Sequence, residues 1–197
     1  MKKSILFKIL ICVMCFVLSF SLCGCKKDEF LSGKFDAEIV VENYGTIKLT
    51  LDADNTPITV TNFKNLADEG FYNGLTFHRI MDGFMIQGGC PEGTGYGGSK
   101  ENILGEFAQN GIENNISHKR GVISMARSNK FNSASSQFFI VQADSEFLDG
   151  QYAAFGYVTD GMDIVDKICK DVIPTDNNGT VPSANQPKIT SVTVTEK

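Results

Sequence analysis

The first strong pattern in the chain is an uncharged, mainly apolar run, Ile9–Leu22, preceded by Lys2, Lys3 and Lys8. The run has no charge and no proline, and its 14 residues are fewer than the ~20 that a membrane-spanning helix needs. A basic start followed by a short apolar run is typical of a secretory signal sequence. We therefore predict that residues 1–24 are a signal peptide.

Further along the chain, the spacing of apolar residues predicts a hairpin followed by a helix. Asp36–Val41 and Thr46–Leu51 are β-branched runs separated by the turn residues 43–45, which is a hairpin signal. At Thr56-Pro57 the period changes from that of a strand to that of a helix, and this helix ends at Glu69-Gly70.

The remaining pattern is of short strands with one more helix. We predict strands at Thr76–Ile80, Phe84–Gln87, Gly121–Met125, Phe138–Val141, Ala154–Val158 and Ile189–Val194. A second helix is predicted at Ile164–Cys169. Two helices that do not alternate with the strands favour an antiparallel barrel or sandwich over a doubly wound sheet. A closed barrel would also hide the sheet edges.

Composition and charge indicate a single globular domain with acidic character. The chain is 42% hydrophobic and 21% charged with a net charge of -5, which excludes disorder and argues against a nucleic-acid partner. Removal of residues 1–24 takes away three lysines and no acids, leaving 173 residues with a net charge of -8. We predict that residues 35–197 form the domain and that the polar segment before it is a tether.

The four residues Leu22-Cys23-Gly24-Cys25 resemble the lipobox of bacterial lipoproteins, in which the last cysteine is lipidated and starts the mature chain. This resemblance implies that Cys25 carries a lipid and that residues 25–34 are the lipidated cysteine and tether. The domain would then lie outside the cytoplasm, anchored to a bacterial membrane, with the cell membrane favoured over an outer membrane. Plain secretion is the alternative. Cys90 and Cys169 then remain in the domain, which leaves room for one disulfide and requires none.

Taken one at a time, the short motifs in the sequence are weak evidence for a metal site, a reactive thiolate or a nucleotide-binding loop. The two histidines, His78 and His118, are not part of a dense ligand pattern, so we expect no metal site. Cys90 near His78 is better explained as a small residue at a strand end than as a reactive thiolate. Residues 93–98 satisfy GxGxxG, but they do not lie between a strand and a helix, so we predict a surface loop.

Three stretches mix aromatic, apolar and polar residues in an unusual order: 77–89 (FHRIMDGFMIQGG), 133–140 (SASSQFFI) and 147–156 (FLDGQYAAFG). Together they resemble the cyclophilin family of peptidyl-prolyl cis-trans isomerases, and the match runs from about Ala37 to Val194. The resemblance implies the family fold, a mainly β, closed eight-stranded antiparallel β-barrel capped by two α-helices. It also implies that no cofactor is needed.

The resemblance assigns roles residue by residue and makes Arg79 the catalytic arginine. The implied substrate-binding residues are Phe84, Met85, Gln87, Met125, Ala126, Gln137, Phe139, Phe147, Leu148 and Tyr152. Three positions depart from common family members, because Phe147 stands where many eukaryotic members have Trp, Tyr152 where His is common, and Arg127 where Asn is frequent. Because Phe147 has a smaller ring than Trp and lacks the indole N–H donor, we expect cyclosporin to bind weakly.

The implied reaction is rotation about the bond preceding proline. Twisting an amide costs ~18–20 kcal/mol, and in the twisted state the proline nitrogen regains a lone pair that a cation such as Arg79 can stabilise. We expect a monomer that accelerates X-Pro rotation in proline-containing segments of exported, folding proteins. The alternatives are a non-catalytic chaperone module that binds proline peptides and an envelope lipoprotein that uses the fold only as a scaffold.

Overall fold

The computed structural model describes residues 30–197. The eight strands of these residues are β1 (Lys34–Val41), β2 (Gly45–Asp52), β3 (Thr76–Met81), β4 (Met85–Cys90), β5 (Val122–Met125), β6 (Phe138–Val141), β7 (Ala154–Asp160) and β8 (Ile189–Glu196). The two α-helices are α1 (Pro57–Asp68) and α2 (Met162–Asp171). Every predicted strand and helix is thus confirmed, with boundaries shifted by a few residues.

All eight strands belong to one antiparallel sheet, in the order β3-β4-β6-β5-β7-β2-β1-β8. The sheet curls into a half-barrel, so β3 and β8 are its two edges. The β1–β2 hairpin pairs Val41 with Gly45 across the turn, where Asn43 has a φ of 65°. Asparagine tolerates this left-handed conformation better than most residues do, which agrees with the turn expected there.

The predicted closure of the barrel is wrong, because no ladder joins β3 to β8 within the described residues. Two isolated bridges, Thr76 with Lys188 and Arg79 with Thr180, join the edge of β3 to the segment that precedes β8. The segment before β8 instead covers the outer edge of β3, and the amides of Phe77 and Ile80 donate to the carbonyls of Pro187 and Gly179. Proline has no amide hydrogen to donate to a ladder, so a proline-containing loop can cover this edge without becoming a ninth strand.

The two faces of the sheet carry different apolar clusters. Along β6, Phe138 and Ile140 point into the main core, where Phe63 and Phe155 also lie, while Phe139 and Val141 belong to a smaller cluster on the other face. Alternating side chains point to opposite faces of a strand, so a short strand that is apolar throughout can serve both clusters. The smaller cluster is the foundation of the site described below.

A buried carboxylate caps the first helix. The backbone amides of Ile58 and Thr59 donate to Glu106 at 3.1 and 2.8 Å, and the Thr59 hydroxyl donates to it at 2.6 Å. Burial raises the pKa of Glu106 even though these three donors oppose the rise. Glu106 therefore satisfies amides that the first turn of a helix leaves free, and it fixes the loop before β5 onto α1.

The predicted signal peptide and the lipidation site Cys25 lie outside the described residues. The end of the predicted tether contacts the domain, because the amide of Leu31 donates to the Thr61 hydroxyl and that of Gly33 donates to Asp54. Cys90 and Cys169 are both buried, free thiols. None of the helices in residues 30–197 is long and apolar enough to cross a bilayer.

His78 on β3 is buried without a well-formed hydrogen bond. It is 5% exposed, and neither ring nitrogen has a hydrogen-bond partner within residues 30–197. Burial, followed by the positive charge of Arg79, lowers the pKa of His78 to about 4, against weaker opposing contributions from Thr76 and Gln137. The ring is therefore neutral in the folded protein at neutral pH.

We predict that this histidine makes the fold sensitive to acid. Between about pH 6.5 and about pH 4, the unfolded chain binds a proton at position 78 that the folded chain does not, so the free energy of unfolding falls as the pH falls. The expected loss is about 2–3 kcal/mol. It should be absent in His78→Gln when both proteins are unfolded with urea across this range.

The comparison of wild type with variant is needed because other groups also titrate. The raised pKa of Glu106 makes the free energy of unfolding rise as the pH falls through its own range, which is opposite to the effect of His78. Parallel stability curves for wild type and His78→Gln would show that His78 is protonated equally in the folded and unfolded states.

Candidate active site

A row of side chains crosses four strands on the outer face of the sheet. In the antiparallel register Arg79 lies opposite Gln87, Gln87 opposite Phe139, and Phe139 opposite Ser124. Facing residues in neighbouring strands bring their side chains into contact, so strands distant in sequence assemble one site. If one of these strands were shifted by one residue, the side chain that it contributes to the row would point into the core instead.

The Arg79 guanidinium is fixed from two sides. Its Nε donates to the backbone carbonyl of Asn178 at 2.7 Å, and its Nη1 donates to Oε1 of Gln87 at 3.2 Å. Its Nη2 contacts the sulfur of Met81 at 3.1 Å, a weak acceptor. Burial lowers the pKa of Arg79, while Tyr152 and Asp176 oppose the change. The group stays a cation, but one with little freedom to move.

Gln87 is itself held in place by a second glutamine. Nε2 of Gln87 donates to Oε1 of Gln137 at 2.9 Å, and Nε2 of Gln137 donates to the carbonyls of Gly95 and Gly97 at 2.8 and 2.6 Å. The glycine-rich loop is therefore a surface loop, as predicted, and its carbonyls orient both amides. Because both glutamines are fixed, the Oε1 atom of Gln87 always faces Arg79.

Next to Arg79 lies a small cavity of about 140 Å³. Its lining consists of Arg79, Phe84, Met85, Gln87, Ala126, Arg127, Phe139, Leu148 and Tyr152. Sites for drug-sized ligands usually occupy 300–1,000 Å³, so this cavity suits one small ring. Met85, Phe139 and Leu148 are buried and form its apolar floor.

Eight of the predicted site residues meet at this cavity: Arg79, Phe84, Met85, Gln87, Ala126, Phe139, Leu148 and Tyr152. Gln137 lies one step away, bonded to Gln87. Met125 does not line the cavity, because it is buried in the main core. Phe147 lies at the rim, where it is 67% exposed and its ring is 5.6 Å from that of Phe84.

Behind the floor of the cavity is a polar network that the sequence did not reveal. The ring of buried His118 lies nearly parallel to that of Phe139, with centroids 6.1 Å apart. One ring nitrogen of His118 bonds Asp149 at 2.8 Å, and the other bonds the hydroxyl of Ser124 at 3.0 Å. Burial lowers the pKa of His118, although Asp149 opposes this. The network supports Phe139, and Ser124 is too deeply buried to meet a substrate.

Asn178 is a second residue that sequence reasoning missed. The Asp176 carboxylate accepts the amides of Asn178 and Thr180 at 2.9 and 3.0 Å, which shapes a tight turn. The turn aims the Asn178 carbonyl at Arg79. The run of Asp, Asn and Gly at positions 176–179 was the available signal for a turn, but nothing local indicated that the turn reaches β3.

Two larger grooves continue from the small cavity on either side of Gln87. One, of about 440 Å³, runs between the glycine-rich loop and residues 126–137. The other, of about 390 Å³, extends past His78 to Asn178 and Thr180. The small cavity thus lies in the middle of a longer groove, as suits an extended chain that inserts one ring.

Comparison with known proteins agrees with this geometry. A family model described as "Cyclophilin type peptidyl-prolyl cis-trans isomerase/CLD" matches residues 37–194. A peptidyl-prolyl cis-trans isomerase of Helicobacter pylori is 47% identical over 128 residues, 64% of this chain and 76% of that protein. Peptidyl-prolyl cis-trans isomerase A of Dickeya dadantii is 42% identical over 147 residues, 72% of this chain and 74% of that protein.

The fold has the same relatives. A crystal structure of a Cryptosporidium parvum cyclophilin-type peptidyl-prolyl cis-trans isomerase in the presence of the dipeptide Ala-Pro superposes with a TM-score of 0.71 at 29% identity. The alignment covers 82% of this chain and 99% of that one. With its half-barrel, a cavity walled by Arg79 and a family match over residues 37–194, the chain belongs to the cyclophilin-type peptidyl-prolyl cis-trans isomerases.

Proposed function

We propose that this isomerase accelerates X-Pro rotation in proteins folding outside the cytoplasm, by a non-covalent mechanism in which Arg79 stabilises the twisted amide. The observation that carries the proposal is the position of Arg79, which is fixed by Asn178 and Gln87 at the wall of an apolar cavity the size of one small ring. The proline ring enters this cavity and its nitrogen faces the guanidinium.

The arginine acts on the twisted state more than on the planar one. In the planar amide the nitrogen lone pair is delocalised and accepts hydrogen bonds poorly. On twisting, the lone pair localises, and the guanidinium can then donate to it. An interaction that is stronger in the transition state than in the ground state raises the turnover rate, and a fixed donor needs no reorganisation at that moment.

The apolar floor contributes by holding the proline ring and excluding water. Met85, Phe139 and Leu148 contact the ring, and their low exposure lowers the local dielectric around Arg79. These contacts are made in both states, so they serve mainly binding. The Ala-Pro dipeptide was present with the Cryptosporidium relative, and proline-containing segments are the substrate class that we propose here.

The proposed location rests on the sequence before the domain. The basic start, the apolar run Ile9–Leu22 and Cys25 after Gly24 support export followed by lipid anchoring at the cell membrane. The short tether from residue 26 to β1 would then hold the groove close to that membrane, where exported chains emerge unfolded.

We predict that Arg79→Ala lowers turnover far more than it lowers peptide affinity. Loss of a charge-assisted donor in a dry site costs about 2.7–4 kcal/mol, or ~100- to 1,000-fold in rate. Arg79→Lys should recover little, because a flexible ammonium does not reproduce the planar fork. The measurement is NMR exchange on one X-Pro peptide, with folded variants and with affinity measured by titration.

Phe139→Ala is the contrasting variant, since it should weaken binding as well as rate. Near-wild-type exchange in Arg79→Ala would remove the arginine from the mechanism. It would leave the protein as a binding module for proline peptides.

The proposed lipid anchor can be tested by substituting Cys25. Cys25→Ser should abolish incorporation of labelled fatty acid and release the protein from the membrane fraction, because serine offers no thiol for lipidation. Cys23→Ser, two residues earlier, is the matched control and should be lipidated normally. Undiminished labelling of Cys25→Ser would show that the lipid is attached elsewhere.

Cyclosporin binding should be limited by position 147. Phe147 is exposed at the rim beside Phe84, and it has a smaller ring than Trp and no indole N–H donor. Phe147→Trp should therefore bind cyclosporin more tightly than wild type in a calorimetric titration. Tyr157→Trp, which lines none of the three cavities, controls for added aromatic surface, and equal affinity in all three proteins would show that position 147 does not limit binding.

A further inference from the structure

The groove of about 440 Å³ beside the proline cavity is polar and carries a single formal charge. Its lining consists of Gln87, Gly95, Tyr96, Gly97, Gly98, Ser99, Asn102, Ala126, Arg127, Ser128, Ser133, Ser135 and Gln137. Arg127 is the only charged residue among them, and it also lines the proline cavity. A client chain with proline in the small cavity therefore passes Arg127 with its neighbouring residue.

Arg127 is held rigidly by aromatic rings. Its Cζ lies 4.7 Å from the ring centroid of Tyr152, 5.1 Å from that of Phe107 and 5.2 Å from that of Phe131. Its Nε donates to the carbonyl of Gln151 and its Nη1 to that of Ser128, both at 2.9 Å. Cation–π contacts and two backbone acceptors fix the plane of the guanidinium.

The charge of Arg127 is not neutralised by a carboxylate in the described part of the chain. None of the ion pairs formed by residues 34–197 includes Arg127, whereas Arg120 pairs with Asp166 at 2.7 Å. Within residues 30–197 its Nη2 donates to no protein acceptor. Glu92 and Glu101 are exposed on the neighbouring loops and do not line the groove.

We propose that Arg127 gives this isomerase a preference for clients with an acidic side chain next to the proline. The carboxylate lies in the polar groove and accepts from the free edge of the guanidinium, Nη2. The other lining residues are neutral, with the Glu92 carboxylate packed against Gly97 on the loop side of the groove. A carboxylate therefore meets Arg127 as the one charge in the lining, and a lysine would face Arg127 directly. The inference rests on the proposed function, because it assumes that proline occupies the small cavity.

The strength of the contact between Arg127 and a carboxylate is limited because Arg127 is partly exposed to solvent. Arg127 is half-buried, so its pairing with a carboxylate is partly screened by water, and a gain of roughly threefold to fivefold in affinity is expected. Because the guanidinium is already fixed, little side-chain entropy is lost when it binds. The preference should shrink as salt is raised.

The experiment compares matched peptides on the full chain in detergent. Peptides carry Glu, Gln or Lys at one position flanking a single proline, and both the exchange rate and the affinity are measured by NMR. At one flanking position Glu should bind roughly threefold to fivefold better than Gln, with Lys weaker than Gln. The quantity compared is the Glu-to-Gln ratio within each protein, so a general loss of activity cancels.

Two variants at position 127 test whether the Glu-to-Gln ratio depends on Arg127. Arg127→Gln should bring the ratio to one, and Arg127→Lys should keep part of it, because the charge remains while the planar fork is lost. Lys130→Gln removes one positive charge from the same loop at an exposed position outside the three cavities, and it should leave the ratio unchanged. A purely structural role of Arg127 would not alter the ratio.

The outcomes separate this inference from the proposed function. If the neutral peptide is isomerised but the ratio is one at every position, or survives in Arg127→Gln, the preference is overturned and the activity stands. If no peptide is isomerised, the proposed function fails, and the affinity ratio alone still decides whether Arg127 selects acidic neighbours.

Discussion

The structure depends on keeping one cation fixed at the wall of an apolar cavity. Burial disfavours the charged form of Arg79, so the fold must supply acceptors that compensate for lost water. Those acceptors are neutral: a backbone carbonyl from Asn178 and an amide oxygen from Gln87. A carboxylate in their place would neutralise the charge, whereas neutral acceptors position the guanidinium and leave its charge available at the cavity wall.

The half-barrel makes this arrangement possible because the two faces of its single sheet carry separate apolar clusters. The inner face buries the main core, which provides stability, and the outer face carries the small cluster around Phe139. Support for the outer face comes from behind, through His118 and its bonds to Asp149 and Ser124. The site is thereby built on strands, which hold side chains more precisely than loops do.

The sequence predicted most of the fold and of the candidate site, and the features that it did not predict share one cause. Local periodicity was enough to find every strand and helix, and the resemblance placed eight residues at the cavity. The contact of Asn178 with Arg79 and the support of Phe139 by His118 were not found, since Asn178 is 99 residues from Arg79 and Asp149 is 31 residues from His118. Closure of the barrel failed similarly, because whether β3 pairs with β8 depends on how the loop around Pro187 packs, which no local pattern contains.

In the proposed function, the two arginines of the groove act on different parts of the same client. Arg79 would meet the bond that rotates, and its contact would strengthen as the amide twists, which would lower the barrier. Arg127 would meet a neighbouring side chain, whose position need not change during rotation, so its contact would be equal in the ground and transition states. Such uniform binding changes which peptides occupy the groove and leaves turnover of the bound peptide unaltered. In a chain with a net charge of -5, the proposed selection of acidic neighbours would depend on this local cation, since the field of the whole protein opposes it.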